Sequence, residues 1–265
     1  LSIRYPLPMT ISLDPNLFGS PLLPWATLTA LLGVGVGAWL FLRGAPMERQ
    51  AAYGLALGAL FWSIVGARVL HVIDYAAFYA DAPFRVVYLW SGGMALWGGL
   101  LGGAAYVAWC LRRDRPLLVR VADAAALPVL IGMAVGRVGD LIAGERAGRL
   151  TDLPWGIAYA HEDAAAYAGG AAVHPVAAYE LLLDLALTVA LWRLNARLRD
   201  GARFALAMTG YAAGRFLLTF ARVDPSWGGL QQAQWIALAV AVAGVYWLIR
   251  TRALSATHPP TSSPS

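Results

Sequence analysis

Seven stretches of about 20 mostly apolar residues recur along the chain, at 22–42, 51–73, 92–111, 117–136, 175–195, 203–222 and 231–250. A helix needs about 20 such residues to cross a bilayer core. In hydrocarbon a chain must also satisfy its own backbone hydrogen bonds, which leaves helices or closed barrels. Composition supports lipid as the solvent. Only 13% of residues are charged, against about 25% in soluble domains, and mean hydropathy is +0.60. The expectation is an all-α, polytopic membrane protein of about seven transmembrane helices. Residues 1–254 read as one integral membrane domain and 255–265, rich in Pro, Ser and Thr, as a disordered tail. The fourth span is the weakest, because Asp123 and Pro128 interrupt it.

The 20 basic residues are all Arg. They cluster between apolar stretches: Arg43 and Arg49; Arg112, Arg113, Arg115 and Arg120; Arg193, Arg197, Arg199 and Arg203; Arg250 and Arg252. Such clusters set topology under the positive-inside rule. They place alternate loops in the cytoplasm, the N-terminus outside and the C-terminus inside, so the net charge of +5 does not point to nucleic acid. Leu1 to Ser20 lack a charged segment ahead of a short apolar core, which argues against a cleavable signal peptide. Cys110 is the sole cysteine and reads as a small juxtamembrane hydrophobe. No pattern implies a metal or an organic cofactor.

The densest polar segment is Gly136 to Arg149, which opens a long outer connection over 137–174. Arg137, Arg146 and Arg149 stand there among Asp140, Glu145 and four glycines. Arg offers a planar donor fork suited to phosphate, and Gly admits close backbone approach. A lipid phosphate lies at this depth. The alternative is a loop of surface charges that pair with one another. Arg68 and Arg215 fall inside predicted spans, where an arginine costs about 2.5–3.5 kcal/mol on insertion scales and normally faces a cavity or a partner. Their alternative is a structural ion pair, for example with Asp123 or Asp184. His174-Pro175 and Tyr179-Glu180 open the fifth span and can enter one polar pocket; an interfacial belt is the alternative. The glycine-rich run Ser91-Gly92-Gly93-Met94 to Gly103, with Gly98 and Gly99, allows close helix packing or a backbone-lined headgroup site.

With these motifs the chain resembles the prolipoprotein diacylglyceryl transferase family. Gly136 to Gly156, GRVGDLIAGERAGRLTDLPWG, is similar to that family's signature, GRxGNFxNGExxGR followed by Trp-Gly. The resemblance extends in order over Gly66-Ala67-Arg68, Gly92-Gly93-Met94, Gly98-Gly99-Leu100, His174-Pro175, Tyr179-Glu180, Gly214-Arg215-Phe216, Arg222 and Gln234-Trp235. It implies a multi-pass enzyme of the bacterial inner membrane. That enzyme moves the diacylglyceryl group of phosphatidylglycerol to the thiol of the lipobox cysteine in a prolipoprotein signal peptide. A thioether forms and glycerol 1-phosphate leaves. By the resemblance Arg137 and Arg215 bind the phosphate and Gly148 is the close-approach glycine. Arg68, Gly98, Gly99, Tyr179 and Arg222 join the substrate site, and Glu145 orders the arginines.

Departures from the pattern shape the expectation further. Trp97 stands where the family has His, Asp140 and Ala143 where it has Asn, Ala26 for Tyr, and Thr219 for the Glu that pairs with an arginine. Indole cannot accept a proton at neutral pH. His174 is therefore the expected proton acceptor, because imidazole titrates near neutrality, with Asp140 as the alternative. The rival reading is a non-catalytic or altered-specificity family member that binds anionic lipid or a lipoprotein precursor.

Overall fold

The computed structural model describes residues 9–21, 23–88, 93–146, 148–224 and 226–251. The predicted tail over 255–265, together with Ser91 and Gly92 of the glycine-rich run, lies outside these residues. The protein is a helical, polytopic membrane protein. Its helices are α1 (Trp25–Gly44), α2 (Arg49–Asp74), α3 (Ala76–Ala80), α4 (Leu96–Cys110), α5 (Arg115–Ala143), α6 (Val176–Leu194), α7 (Ala202–Thr219) and α8 (Gln232–Thr251). Each of the seven expected spans falls on one of these, and α3 is an added single turn. α1, α2, α5 and α8 are long and apolar enough to cross a membrane, and α4 is a shorter apolar helix.

The chain forms two compact units, one of Leu1–Leu40 with Ala125–Ser265, the other of Phe41–Ala124. In the second unit α2 and α4 touch backbone to backbone. A Cβ on Gly98 would collide with the carbonyl oxygen of Gly66, and one on Gly66 with that of Gly98. Without a hydrophobic driving force between helices in lipid, such small-residue seams let dispersion and backbone contacts hold them together. Trp62, Val65, Val69, Tyr106 and Trp109 line an apolar cleft of about 410 Å³ along this pair.

In the first unit the same device joins α1 to α5: Gly33 meets the carbonyl of Gly132, and Gly37 that of Pro128. The Thr29 hydroxyl lies 3.1 Å from the Gly136 carbonyl oxygen. Leu187 and Leu183 of α6 fill the space over Gly210 and Gly214 of α7, and Thr209 of α7 covers Gly244 of α8.

The end of the fourth span differs from the expectation. The sequence puts it near residue 136, with a polar loop from 137. Instead α5 runs unbroken through Pro128 to Ala143. Gly139 does not end it because that glycine faces α1, where the Thr29 hydroxyl and the Trp25 carbonyl occupy the space of a side chain. Arg137 and Asp140 are therefore helical residues at i and i+3, and both are buried. The reading of this segment as a loop of surface charges is overturned at these two positions. The connection from 144 to 175 carries a strand not expected from sequence, β2 (Ile157–Tyr159), which pairs in parallel with β1 (Met9–Ile11). Ile157, Tyr159, Ala164, Ala166 and Val173 form a small core there with Ile11 and Leu141. The Tyr159 hydroxyl donates to the Leu141 carbonyl at 2.8 Å, and burial pushes its phenol up to about 12. A short antiparallel pair, β3 (Ser226–Trp227) and β4 (Leu230–Gln231), leads into α8.

Candidate active site

Three helices of the first unit bring charged side chains to one buried point. Arg137 comes from the last two turns of α5, Glu180 and Asp184 from α6, and Arg215 from α7. Glu180 and Asp184 are i and i+4, so they share a helix face, and both are fully buried. Glu180 Oε2 lies 3.0 Å from Arg137 Nη2, and Glu180 Oε1 contacts Arg215 Nη1. Arg137 Nη1 donates to Asp140 Oδ2 at 3.0 Å, and the same oxygen lies 2.9 Å from Arg146 Nε. Asp184 is a looser partner, 4.0 Å from Arg137 Nε. Tyr211, one turn before Arg215, brings its hydroxyl to Arg137.

The expected convergence of Arg137 and Arg215 is thus present, through one shared carboxylate. Their exposures are 4% and 5%, so neither guanidinium points into lipid. Three cations (Arg137, Arg146, Arg215) face three acids (Asp140, Glu180, Asp184). Desolvated charges are tolerated only when matched in this way. Asp140 accepts from Arg137, pairs with Arg146, and serves as counter-ion to both. Glu145 is exposed beside it, and it is Asp140 that meets the cations.

The remaining expected site residues fall into separate groups. His174 Nδ1 is 3.3 Å from the Tyr179 hydroxyl, and Trp155 Nε1 donates to that hydroxyl at 2.8 Å. Indole N–H can only donate, so the Tyr179 hydrogen is available to His174 Nδ1. With the imidazole hydrogen on Nε2, Nδ1 accepts it. Tyr179 and Glu180, adjacent on α6, therefore belong to different polar groups. Gly148 makes its close approach to the chain itself: a Cβ there would meet Ala221 O and lie 2.7 Å from His174 Cβ. Its N–H donates to the His174 carbonyl at 2.9 Å.

Arg222 holds Asp224 in a bidentate pair, Nε to Oδ2 at 2.5 Å and Nη2 to Oδ1 at 3.1 Å. Asp224, two residues on, is thus the ion-pair partner of Arg222. Thr219 itself donates to the Arg215 carbonyl at 2.6 Å. Buried Gln234 accepts from the Gln231 N–H at 2.9 Å.

In the second unit Arg68 is buried, but its donors go to backbone carbonyls. These are Val86 O at 2.8 Å, Gly93 O at 3.0 Å, Arg85 O at 2.5 Å and Tyr88 O at 3.0 Å. Its guanidinium also lies over the Tyr79 ring. Arg68 is therefore a strap on the segment after α3. Gly98 is a packing glycine at the α2–α4 seam, whereas a Cβ on Gly99 would find ordinary contacts. Trp97 is buried. Sequence reasoning does not find Tyr211; it names Asp184 only as a possible structural ion-pair partner, and it places Glu180 in a polar pocket with His174 rather than between Arg137 and Arg215. The signal for the two acids is their i, i+4 spacing in an otherwise apolar helix, since membrane carboxylates are expensive.

Comparison with known proteins agrees with the motifs. Residues 17–250 match the model of the prolipoprotein diacylglyceryl transferase family. The phosphatidylglycerol–prolipoprotein diacylglyceryl transferase of Methylobacillus flagellatus is 34% identical over 203 residues, covering 72% of this chain and 76% of its own. That of Nitrosomonas europaea is 32% identical over 265 residues, with coverages of 92% and 90%. That of Pseudoalteromonas atlantica is 31% identical over 273 residues, covering 95% of each. On the family match and these relatives together, the chain belongs to the prolipoprotein diacylglyceryl transferase family.

Proposed function

We propose that this protein transfers the diacylglyceryl group of phosphatidylglycerol to the thiol of a lipobox cysteine in a prolipoprotein signal peptide. The observation that carries the reading is the meeting of Arg137 and Arg215, 78 positions apart in sequence, at one buried carboxylate. Two desolvated guanidiniums aimed at one point suit a phosphodiester, and they suit the added negative charge on the leaving phosphate better still. The sulfur attacks the glycerol carbon that bears the phosphate ester. The C–S bond forms as the C–O bond breaks, and the electron pair leaves with glycerol 1-phosphate, held by the two arginines. The thiol proton goes to the phenol oxygen of Tyr179, held by the Trp155 N–H, as the phenol hydrogen passes to His174 Nδ1. Asp140, engaged by Arg137 and Arg146, remains the counter-ion. Arg222, Gly148 and Glu145 frame the site, and Arg68 acts within the second unit by holding the segment after α3.

On this reading residues 1–254 work as one membrane domain in the bacterial inner membrane. The N-terminus faces outward and the arginine-rich loops face the cytoplasm. Reporter fusions after Arg113 and Arg199 are expected to be cytoplasmic and fusions near Asp163 external; an inverted pattern would overturn the orientation. The reaction is tested by incubating purified protein with phosphatidylglycerol labelled in its acyl chains and a lipobox peptide. The expected result is label on the peptide thiol and release of glycerol 1-phosphate. The presence of Trp97 in place of the family histidine favours one rival, a non-catalytic lipid-binding member. Lipid binding without transfer under any lipid composition would establish that rival.

A further inference from the structure

Glu180 has a guanidinium on each carboxylate oxygen, Arg137 on Oε2 at 3.0 Å and Arg215 on Oε1, at zero exposure. A phosphodiester monoanion carries the same charge and presents two acceptor oxygens with a comparable bite. Arg137 is already engaged by Asp140 on its other nitrogen, and Asp184 and Tyr211 crowd the same guanidinium. A fourth anion added to this cluster would leave it with an uncompensated negative charge. The incoming phosphate must therefore take the place of one already present.

We propose that Glu180 is an internal placeholder for the lipid phosphate. It holds Arg137 and Arg215 at the spacing at which one phosphodiester can bind both, and it gives up those contacts when lipid enters. The proposal rests on the reading that these two arginines bind the lipid phosphate. Glu180 acts through the arginines and is a positioning residue. The resident carboxylate competes with substrate, so it weakens lipid binding. It also prevents the two like charges from separating in the empty site, so it preserves the geometry that chemistry needs. After transfer, the return of Glu180 to the arginines favours departure of glycerol 1-phosphate.

These two effects have opposite signs in kinetics, which separates a placeholder from a merely structural acid. The test is E180Q in detergent micelles, with phosphatidylglycerol titrated at saturating lipobox peptide and binding measured separately with labelled lipid. Glutamine keeps the shape but removes the competing charge. If Glu180 covers the arginines roughly nine-tenths of the time, Kd for phosphatidylglycerol falls about tenfold, while kcat falls on the order of 100-fold. A structural role predicts the reverse for binding: a Kd equal to or above that of the wild type overturns the proposal. E180D decides the matter if E180Q does not fold. It keeps the buried charge but is too short to reach both guanidiniums, so Kd and kcat again both fall; a Kd at or above that of the wild type overturns it here too. Failure of the underlying reading looks different, because the wild type itself then binds no phosphatidylglycerol and transfers nothing.

Discussion

Gly98→Ala and Gly99→Ala add the same methyl group at neighbouring positions and should behave oppositely. On Gly98 the methyl would overlap the Gly66 carbonyl oxygen and stand 2.7 Å from Leu70 Cβ. The obstacle is backbone, so α2 and α4 must move apart. Overpacking of this kind costs about 1–3 kcal/mol, and any Cα–H···O contact that the separation breaks costs about 0.5–1 kcal/mol more. The better helix propensity of Ala returns up to about 1 kcal/mol. The balance is a destabilisation of about 2 kcal/mol, or roughly 4–8 °C in Tm for a chain of this length. On Gly99 the methyl would lie 3.5 Å from Ser63 O and 3.6 Å from Ala67 Cβ, which is ordinary van der Waals distance, so Tm should hold or rise. Thermal unfolding in detergent micelles, followed by tryptophan fluorescence, measures both. G98A melting with the wild type, or G99A falling as far as G98A, would refute the packing argument. G99A also tests the substrate role expected for this glycine: KM for phosphatidylglycerol should rise at unchanged Tm if its backbone meets the lipid.

Arg137→Ala leaves Glu180, Asp140 and Asp184 short of a cation and should cost about 3–5 kcal/mol. Arg215→Ala removes one partner of Glu180 and should cost less, and both should lower transfer at least about 100-fold; equal unfolding shifts for the two variants would contradict the pairing described. His174→Ala should abolish transfer while phosphatidylglycerol binding persists, and Tyr179→Phe should lower kcat about tenfold without changing KM. Full transfer by H174A would remove His174 from the mechanism. Tyr159 keeps its proton in the folded state to about pH 12, against 10.0 in an exposed phenol. Its stabilising contribution is therefore complete below pH 10 and lost as pH rises through 12. In scans of Tm against pH, Tyr159→Phe should start lower by the worth of one hydrogen bond, about 1 kcal/mol, and then decline less steeply than the wild type above pH 10.

The spans were legible because hydrophobic runs of about 20 residues have one meaning in a chain this poor in charge. The meeting of Arg137 and Arg215 was legible through the family resemblance, which assigns both to one phosphate; the cost of a membrane arginine says only that each needs a cavity or a partner. The end of α5 was not. A glycine that packs against a neighbouring helix and one that ends a helix look alike in sequence, and Gly139 is distinguished only by Thr29 and Trp25 opposite it. Arg68 misled in a similar way. Its acceptors are carbonyls 17–25 positions along the chain, and backbone acceptors carry no residue type. The three-residue strands β1 and β2 are too short to show alternation, and their pairing joins segments almost 150 positions apart.

The connection between α5 and α6 closes on itself at its base. The Gly148 N–H bonds to the His174 carbonyl, the His174 N–H to that of Arg149, and the Thr151 N–H to that of Ala172, all at 2.9–3.0 Å. A second pair of bonds joins Ile157 and Val173 in both directions. This neck fixes the distance between the helix that carries Arg137 and the helix that carries Glu180, whatever lies beyond it. The tip of the excursion is then free to lengthen: Gly169 and Gly170 turn there with φ of +62° and +87°, which disfavours a side chain on either, but the space around them is open to residues inserted between them. An epitope, a fluorophore site or a tether spliced in there would report from the protein's surface while the spacing of the buried charges stayed as it is.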